Sequence, residues 1–286
     1  MFLRCLLVTT APGIDPTRRM DAALRLSRRL HAHIGVGFMA PGPEHVLASI
    51  ATLVPVGQTT IEAIEQGVRE AAADGKAALQ AWCGRQGVAF MPTGERLDAT
   101  FATWTDHSGE VEPILTSLGQ VNDLVIVDRP DPARPFTGRA LDTALFSIGR
   151  PTLMIGEPVT YDPLYHVVIA WNGSLEATRL IGQSITLLRE AERVTVLHAK
   201  TGRFEAAHVA DLCGYLRWHG IVAEAVTLPV KEDTSVGAAI LAEAEARDAT
   251  MLALGAYTHS RVREFLLGGV TRYVIENARM PVLMAH

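Results

Sequence analysis

Two widely separated segments of this chain match in pattern. Arg150-Pro151-Thr152-Leu153-Met154-Ile155 matches Met280-Pro281-Val282-Leu283-Met284-Ala285, an offset of 130 residues (280 − 150). Nearer the two starts, Leu6 matches Val168, an offset of 162 (168 − 6). A repeat of this period means two copies of a whole domain, not a solenoid of small units. The first copy is longer by about 32 residues (162 − 130), chiefly between Pro41 and Gly94. The boundary falls near Glu157 to Pro163, giving domains 1–157 and 164–286.

Each copy alternates short apolar runs with helical patterns. In the first, strands are expected at Arg4–Thr10, Ile34–Met39, Thr100–Thr105, Leu124–Val127 and Thr152–Ile155. A helix starts at Asp15-Pro16, with Met20, Ala23, Leu24, Ser27 and Leu30 on one side. Its arginines Arg18, Arg19, Arg25, Arg28 and Arg29 read as a solvated face. Pro41 to Thr60 reads as a loop-rich insertion and Thr60 to Gln86 as a long helix, with further helices at Glu110–Leu118 and Arg139–Ile148. The second copy restarts with strands at Tyr165–Trp171, Arg193–Ala199, Ile221–Leu228, Thr250–Gly255 and Pro281–Ala285. Its helices run from Ser174, a plausible N-cap, and over Ala206–His219, Ser235–Ala246 and Gly269–Asn277. Strands alternating with helices imply right-handed crossovers and a parallel sheet, so the fold class is α/β.

The composition limits what such domains do. With 48% hydrophobic and 20% charged residues the chain can build a core, and a net charge of -5 gives no general attraction to nucleic acid or anionic membrane. No apolar run reaches the ~20 residues of a membrane helix. Arg4 interrupts the apolar start, which reads as a first strand and not a signal peptide. Cys5, Cys83 and Cys213 are odd in number and far apart, which fits a reducing cytoplasm. His31 and His33 read as surface or packed histidines before a metal site. Tyr215 and Trp218, at helical spacing, read as core or interface. There is no Gly-x-Ser-x-Gly elbow, no phosphate loop ending in Lys-Ser/Thr, and no nucleophile–base pair, so an enzyme is not expected.

The stretch Met251–Thr271 carries the chemistry. A buried strand ends at Gly255, a polar and basic loop follows, and Gly268-Gly269 opens a helix. Uncovered helix amides and the helix dipole favour an anion, and in open α/β sheets ligands sit at the carboxyl ends of strands. Gly255 lets a ligand approach backbone or simply serves a tight turn. Gly268 and Gly269 expose amides or allow close packing of helix on sheet. Ser260 and Thr271 offer hydroxyls. Arg261 offers a charged donor, or an ion pair with Glu264.

The second half resembles a universal stress protein domain of the UspA-like family over about 120 residues. The resemblance rests on AWNGSLEATRL and GAYTHSRVREFLLGGVTRYVIENARMPVLMAH. It implies two tandem Rossmann-like domains of the adenine-nucleotide α-hydrolase-like type, each a five-stranded parallel sheet flanked by helices. The family's nucleotide pattern, glycine, two residues, glycine, nine residues, glycine, then serine or threonine, falls on Gly255, Thr258, Gly268 and Gly269. Thr258 replaces a glycine and Gly269 a hydroxyl, while Thr271 fits again. If Thr258 needs a positive φ, it costs on the order of 1–2 kcal/mol. A lost hydroxyl on a charged partner costs roughly 1–3 kcal/mol. By resemblance, ATP with magnesium would sit here, its adenine near Ala170 and the backbone at His198-Ala199. Asn172 stands where the family carries an acidic residue, or is only a turn residue.

The first half resembles the family more weakly. Its equivalent strand ends in Asp128 and Arg139 follows Gly138, so it is expected to pack without binding phosphate. The apolar strands Thr152–Ile155 and Pro281–Ala285 are expected to pair, making an intramolecular pseudo-dimer and covering edges that would otherwise aggregate. A homodimer through the extra helical segment is a further expectation. The function implied is a cytoplasmic, non-enzymatic stress-response factor that binds adenine nucleotide. The alternatives are a ligand-free interaction or scaffold protein and a slow ATPase of the wider group.

Overall fold

A computed structural model describes residues 3–50, 58–92, 100–200, 207–230, 235–257 and 269–286. In the first half β1 (Cys5–Thr10), α1 (Thr17–Leu30), β2 (His33–Ala40), α2 (Pro43–Ile50) and α3 (Gln58–Gln86) come first. Then follow β3 (Ala89–Phe90), β4 (Phe101–Ser108), α4 (Val111–Gln120), β5 (Leu124–Asp128), α5 (Pro135–Phe146) and β6 (Thr152–Ile155). The second half runs β7 (His166–Ala170), α6 (Leu175–Glu190), β8 (Arg193–Lys200), α7 (Ala207–Trp218) and β9 (Ala223–Pro229). It closes with α8 (Val236–Ala246), β10 (Met251–Gly255), α9 (Val270–Asn277) and β11 (Val282–Ala285).

All strands among the described residues join one sheet of 11, in the order β3-β4-β2-β1-β5-β6-β11-β10-β7-β8-β9. Within each half the pairings are parallel; β6 and β11 pair antiparallel at the centre, with Leu153 opposite Leu283. The α/β class read from the alternation is therefore correct. Runs such as Leu124-Val125-Ile126-Val127 are buried throughout, as parallel strands covered on both faces must be. One core layer takes residues of α1, α3, α6 and α7, the other residues of α4, α5, α8 and α9. Both helix layers thus run across the two halves. Among the described residues no helix is long and apolar enough to cross a membrane.

Several expectations need correction. The insertion contains a helix, α2, where Pro43 sits in the first turn that tolerates proline. A two-residue strand, β3, adds to the edge beside β4. Helix α5 begins at Pro135, four residues before the expected Arg139. Leu6 pairs with Leu124 as Val167 pairs with Met251, so the offset at the starts is 161 (167 − 6) and not 162.

The arginines of α1 are only in part a solvated face: Arg28 is exposed, but the others are partly or fully buried. Arg19 is fully buried, Arg25 donates to Val159 O at 2.9 Å, and Arg28 donates to Gln86 O at 3.2 Å. Arg29 reaches Asp162 at 2.8 Å and Glu190 O at 2.6 Å, tying α1 to the second half. A second tie is aromatic: Phe146 at the end of α5 packs on Tyr257 at 5.2 Å and edge-on to His286 at 4.8 Å.

His166, at the start of β7, has no exposed surface. Its Nδ1 lies 3.0 Å from Arg247 O and its Nε2 2.9 Å from Thr195 Oγ1, an arrangement that satisfies the neutral ring. Burial holds its pKa below the ordinary value; Arg193 and Arg247 add to this, against the hydrogen bond to Arg247 O and Glu224. The unfolded chain therefore takes up this proton first as pH falls. The contribution to stability is complete above the unfolded value near 6.5 and declines below it, by at most ~1.4 kcal/mol per pH unit. Urea melts at pH 7.5 and 5.5 should show lower stability at the acid value, and His166→Asn should flatten the difference. An unchanged slope in that variant would rule His166 out as the cause.

Candidate functional site

The carboxyl ends of β7, β8 and β10 meet the start of α9 in the second half. Gly255 closes β10 opposite Ala285, and Ala170 closes β7 opposite Leu254. A methyl group at Gly255 would lie 2.4 Å from Ala177 N and 2.9 Å from Ala177 Cα. The glycine is thus required by the approach of α6, a close contact that neither sequence alternative, turn or ligand, included. Beyond it Ala256 N donates to Ala285 O at 2.8 Å. Tyr257 then takes a left-handed φ of 55° and donates its N–H to Thr271 Oγ1 at 3.2 Å.

Gly269 is the N-cap of α9, with no side-chain cap on the first amides. Thr271 is buried, with its oxygen accepting from Tyr257. Asn172 is exposed and its Oδ1 accepts from Ser174 N at 3.1 Å; Ser174 in turn caps α6 through Ala177 N at 3.1 Å. Ala170, Gly255, Gly269 and Thr271 thus come together at one end of the sheet, with Asn172 in the adjoining turn. Thr258, Ser260, Arg261 and Gly268 lie outside the described residues.

Three side chains that pattern reading missed stand at the same end. Among the described residues, Trp171 Nε1, His198 Nε2 and Glu176 Oε2 are buried without a hydrogen-bond partner. His198 Nδ1 lies 3.3 Å from the Trp171 carbonyl, which assigns its hydrogen to Nδ1 and leaves Nε2 as an acceptor. Buried polar atoms are normally paired, so leftovers at strand ends mark places where a ligand or water completes them. Beside Trp171 a cavity of about 490 Å³ is lined also by Ile181, Asp211, Leu212 and Tyr215.

The first half is built differently at the equivalent place. Asp128 holds the β5 position that Gly255 holds in β10, and it is buried. Arg19 Nη1 lies 2.8 Å from its Oδ2 and Arg18 Nη2 3.6 Å from its Oδ1. Arg18 also donates to Gly156 O and Arg19 to Asp15 O, so the pair fills the crevice between β1 and β5. Burial pulls the Arg19 guanidinium down to about 10, which leaves it charged at neutral pH, and pushes the Asp128 carboxyl up against the pull of Arg19 and Arg18. The following loop satisfies itself: Asp131 takes Ala133 N and Arg134 Nε, and Thr137 Oγ1 takes Asp131 N and donates to Arg134 O.

A larger cavity, about 1100 Å³, lies in the first half beside this plugged crevice. Residues after β1 and at the end of β2 line it, with α3 and α5 as further walls. The sequence reading touched it only at Arg139, because its walls come from segments far apart in the chain.

Residues 223–286 match the model of the universal stress protein family. Over its whole length the chain is similar to a universal stress protein from Archaeoglobus fulgidus DSM 4304, with a TM-score of 0.71 and 14% identity, covering 99% of this chain and 97% of that one. A presumed universal stress protein from Pseudomonas aeruginosa UCBPP-PA14 gives a TM-score of 0.54 and 15% identity, covering 99% and 93%. No curated protein matches the sequence. The resemblance read from the sequence is thus carried by a family match in the second half and by a shared fold over the whole chain.

Proposed function

We propose that the chain is a tandem universal stress protein whose second half binds adenine nucleotide and whose role is regulatory, not catalytic. The observation that carries this reading is the set of buried, unpartnered atoms at one sheet end: Trp171 Nε1, His198 Nε2 and Glu176 Oε2. An indole donor and an imidazole acceptor suit a base that both donates and accepts hydrogen bonds. The uncapped start of α9 at Gly269 suits the phosphates. Thr258, Ser260, Arg261 and Gly268 complete the phosphate side in this reading. Magnesium would arrive with the phosphates, because Asn172 already uses its Oδ1 on Ser174 N.

The domains in this proposal are 1–157 and 164–286, joined as an intramolecular pseudo-dimer; the antiparallel β6–β11 pairing supports it. The first half contributes packing, its phosphate position being filled by Arg19 and Asp128. The protein works in the cytoplasm, and a homodimer through α2 and α3 is part of the same proposal.

Mass spectrometry of small molecules released from the purified protein should find an adenine nucleotide, and calorimetry with ATP and magnesium should show binding. No released nucleotide, no heat and no thermal shift at millimolar ATP would overturn the ligand. That outcome favours a second reading, a ligand-free interaction protein. The surface gives it some support, since Trp218 is 90% and Val222 83% exposed beside the edge strand β9.

A further inference from the structure

The first-half cavity differs from the second-half sheet end in its walls and its charges. At about 1100 Å³ it is as large as the upper range of small-molecule sites. Its walls are mainly apolar: Ile14 and Met39 from the strand ends, Ile64 and Val68 from α3, Phe136 and Phe146 from α5. The α3 wall belongs to the segment that makes the first half longer than the second. A polyphosphate does not suit this space, because the neighbouring crevice is filled by the Arg19–Asp128 pair and the rim carries Glu110, Glu112 and Asp142.

The rim charges point to the ligand's head. Arg134 is paired with Asp131 at 2.7 Å, and Glu112 accepts from Ser147 Oγ at 3.2 Å. Glu110 and Asp142 each interact with another group. Arg139, exposed on the amino-terminal half of α5, has no ion pair or hydrogen bond from its side chain among the described residues. It stands near the positive end of that helix dipole. Arg139 is therefore the one charged rim side chain without a partner among the described residues, while Glu110 and Glu112 sit at the start of α4, where the dipole offsets them.

We propose that the first half binds, in this cavity, an apolar molecule with a single anionic head, of the class of long-chain carboxylic acids, with the chain between α3 and α5 and the carboxylate at Arg139. The site is separate from the nucleotide position of the second half and does not depend on it.

The test uses the full chain, calorimetry and native mass spectrometry. The probes are laurate below its micellar concentration, dodecanol, dodecylamine and ATP with magnesium. One laurate should bind per chain. Gly67 lines the cavity, and a Cβ added there meets nothing within 4 Å. Gly67→Phe should therefore fill the mouth without a clash and weaken laurate and dodecanol at least tenfold. Ala63→Trp, on the same wall, serves as the second blocking variant should Gly67→Phe not fold. Arg139→Glu should weaken laurate about tenfold, by loss of a charge-assisted contact, and leave dodecanol unchanged.

The proposal falls if neither laurate nor dodecanol binds, or if dodecylamine binds as tightly as laurate. It falls also if laurate binding survives both blocking variants, which would place it elsewhere. If ATP displaces laurate and both blocking variants abolish both ligands, the cavity is a nucleotide site and the proposal is wrong.

Discussion

Asp128→Ala is expected to destabilise the protein by about 3–5 kcal/mol, the range for breaking a buried ion pair by removing one partner. The reason lies in what remains. Arg19 has no exposed surface, and its Nη1 has Asp128 Oδ2 as counter-charge at 2.8 Å. Without that carboxylate the guanidinium keeps one bond to Asp15 O and a half-buried neighbour, Arg18, of the same charge. The pair itself is a different matter. Burial already outweighs mutual attraction for both groups, pulling Arg19 down and pushing Asp128 up. Replacing both should therefore recover much of the loss: Arg19→Leu with Asp128→Leu should lie near the wild type or above it. Urea denaturation of Asp128→Ala, of Arg19→Leu and of the double variant gives the three values. A single variant within about 1 kcal/mol of the wild type would show that water or movement relieves the stranded charge, and the account of the plugged crevice would fail.

The sheet was legible because its signals are local. Leu124–Val127 and Leu252–Leu254 are apolar runs that only a strand covered on both faces explains, and the repeated Pro-Thr-Leu-Met-Ile and Pro-Val-Leu-Met-Ala end segments marked two copies. What failed was pairing over distance. Charge patterning treats an arginine as solvated, and nothing near Arg19 in sequence says that Asp128 will lie beside it. Of the two readings of Trp218, core or interface, its 90% exposure removes the first. The segment from Pro41 to Thr60 was read as loop-rich, and Pro43 opens a helix inside it. At the candidate site, the residue types at Gly255, Gly269 and Thr271 were readable from the family pattern. The unpartnered atoms of Trp171, Glu176 and His198 were not, because being unpartnered depends on every neighbour in three dimensions.

Gly255 is where packing and binding can be separated, and Gly255→Ala is the variant that does it. The added Cβ would lie 2.4 Å from Ala177 N, 2.9 Å from Ala177 Cα and 2.9 Å from Glu176 C. All three are backbone atoms in the first turn of α6, so no side chain can swing aside. The helix start must retreat from β10. Overpacking of this kind costs about 1–3 kcal/mol. The retreat also strains the cap in which Ser174 Oγ accepts from Ala177 N, worth up to about 1 kcal/mol more. Ser174→Ala isolates the cap alone and should lose only that smaller part. Stability measured without nucleotide, and ATP affinity measured on the folded protein, then give separate answers. Unchanged stability with lost affinity would mean that the glycine serves the ligand and that the contact with α6 is not the constraint. Reduced stability with unchanged affinity would confine it to packing. We expect both to fall, because the turn of α6 that must move carries Glu176, whose Oε2 is among the buried atoms that have no partner among the described residues.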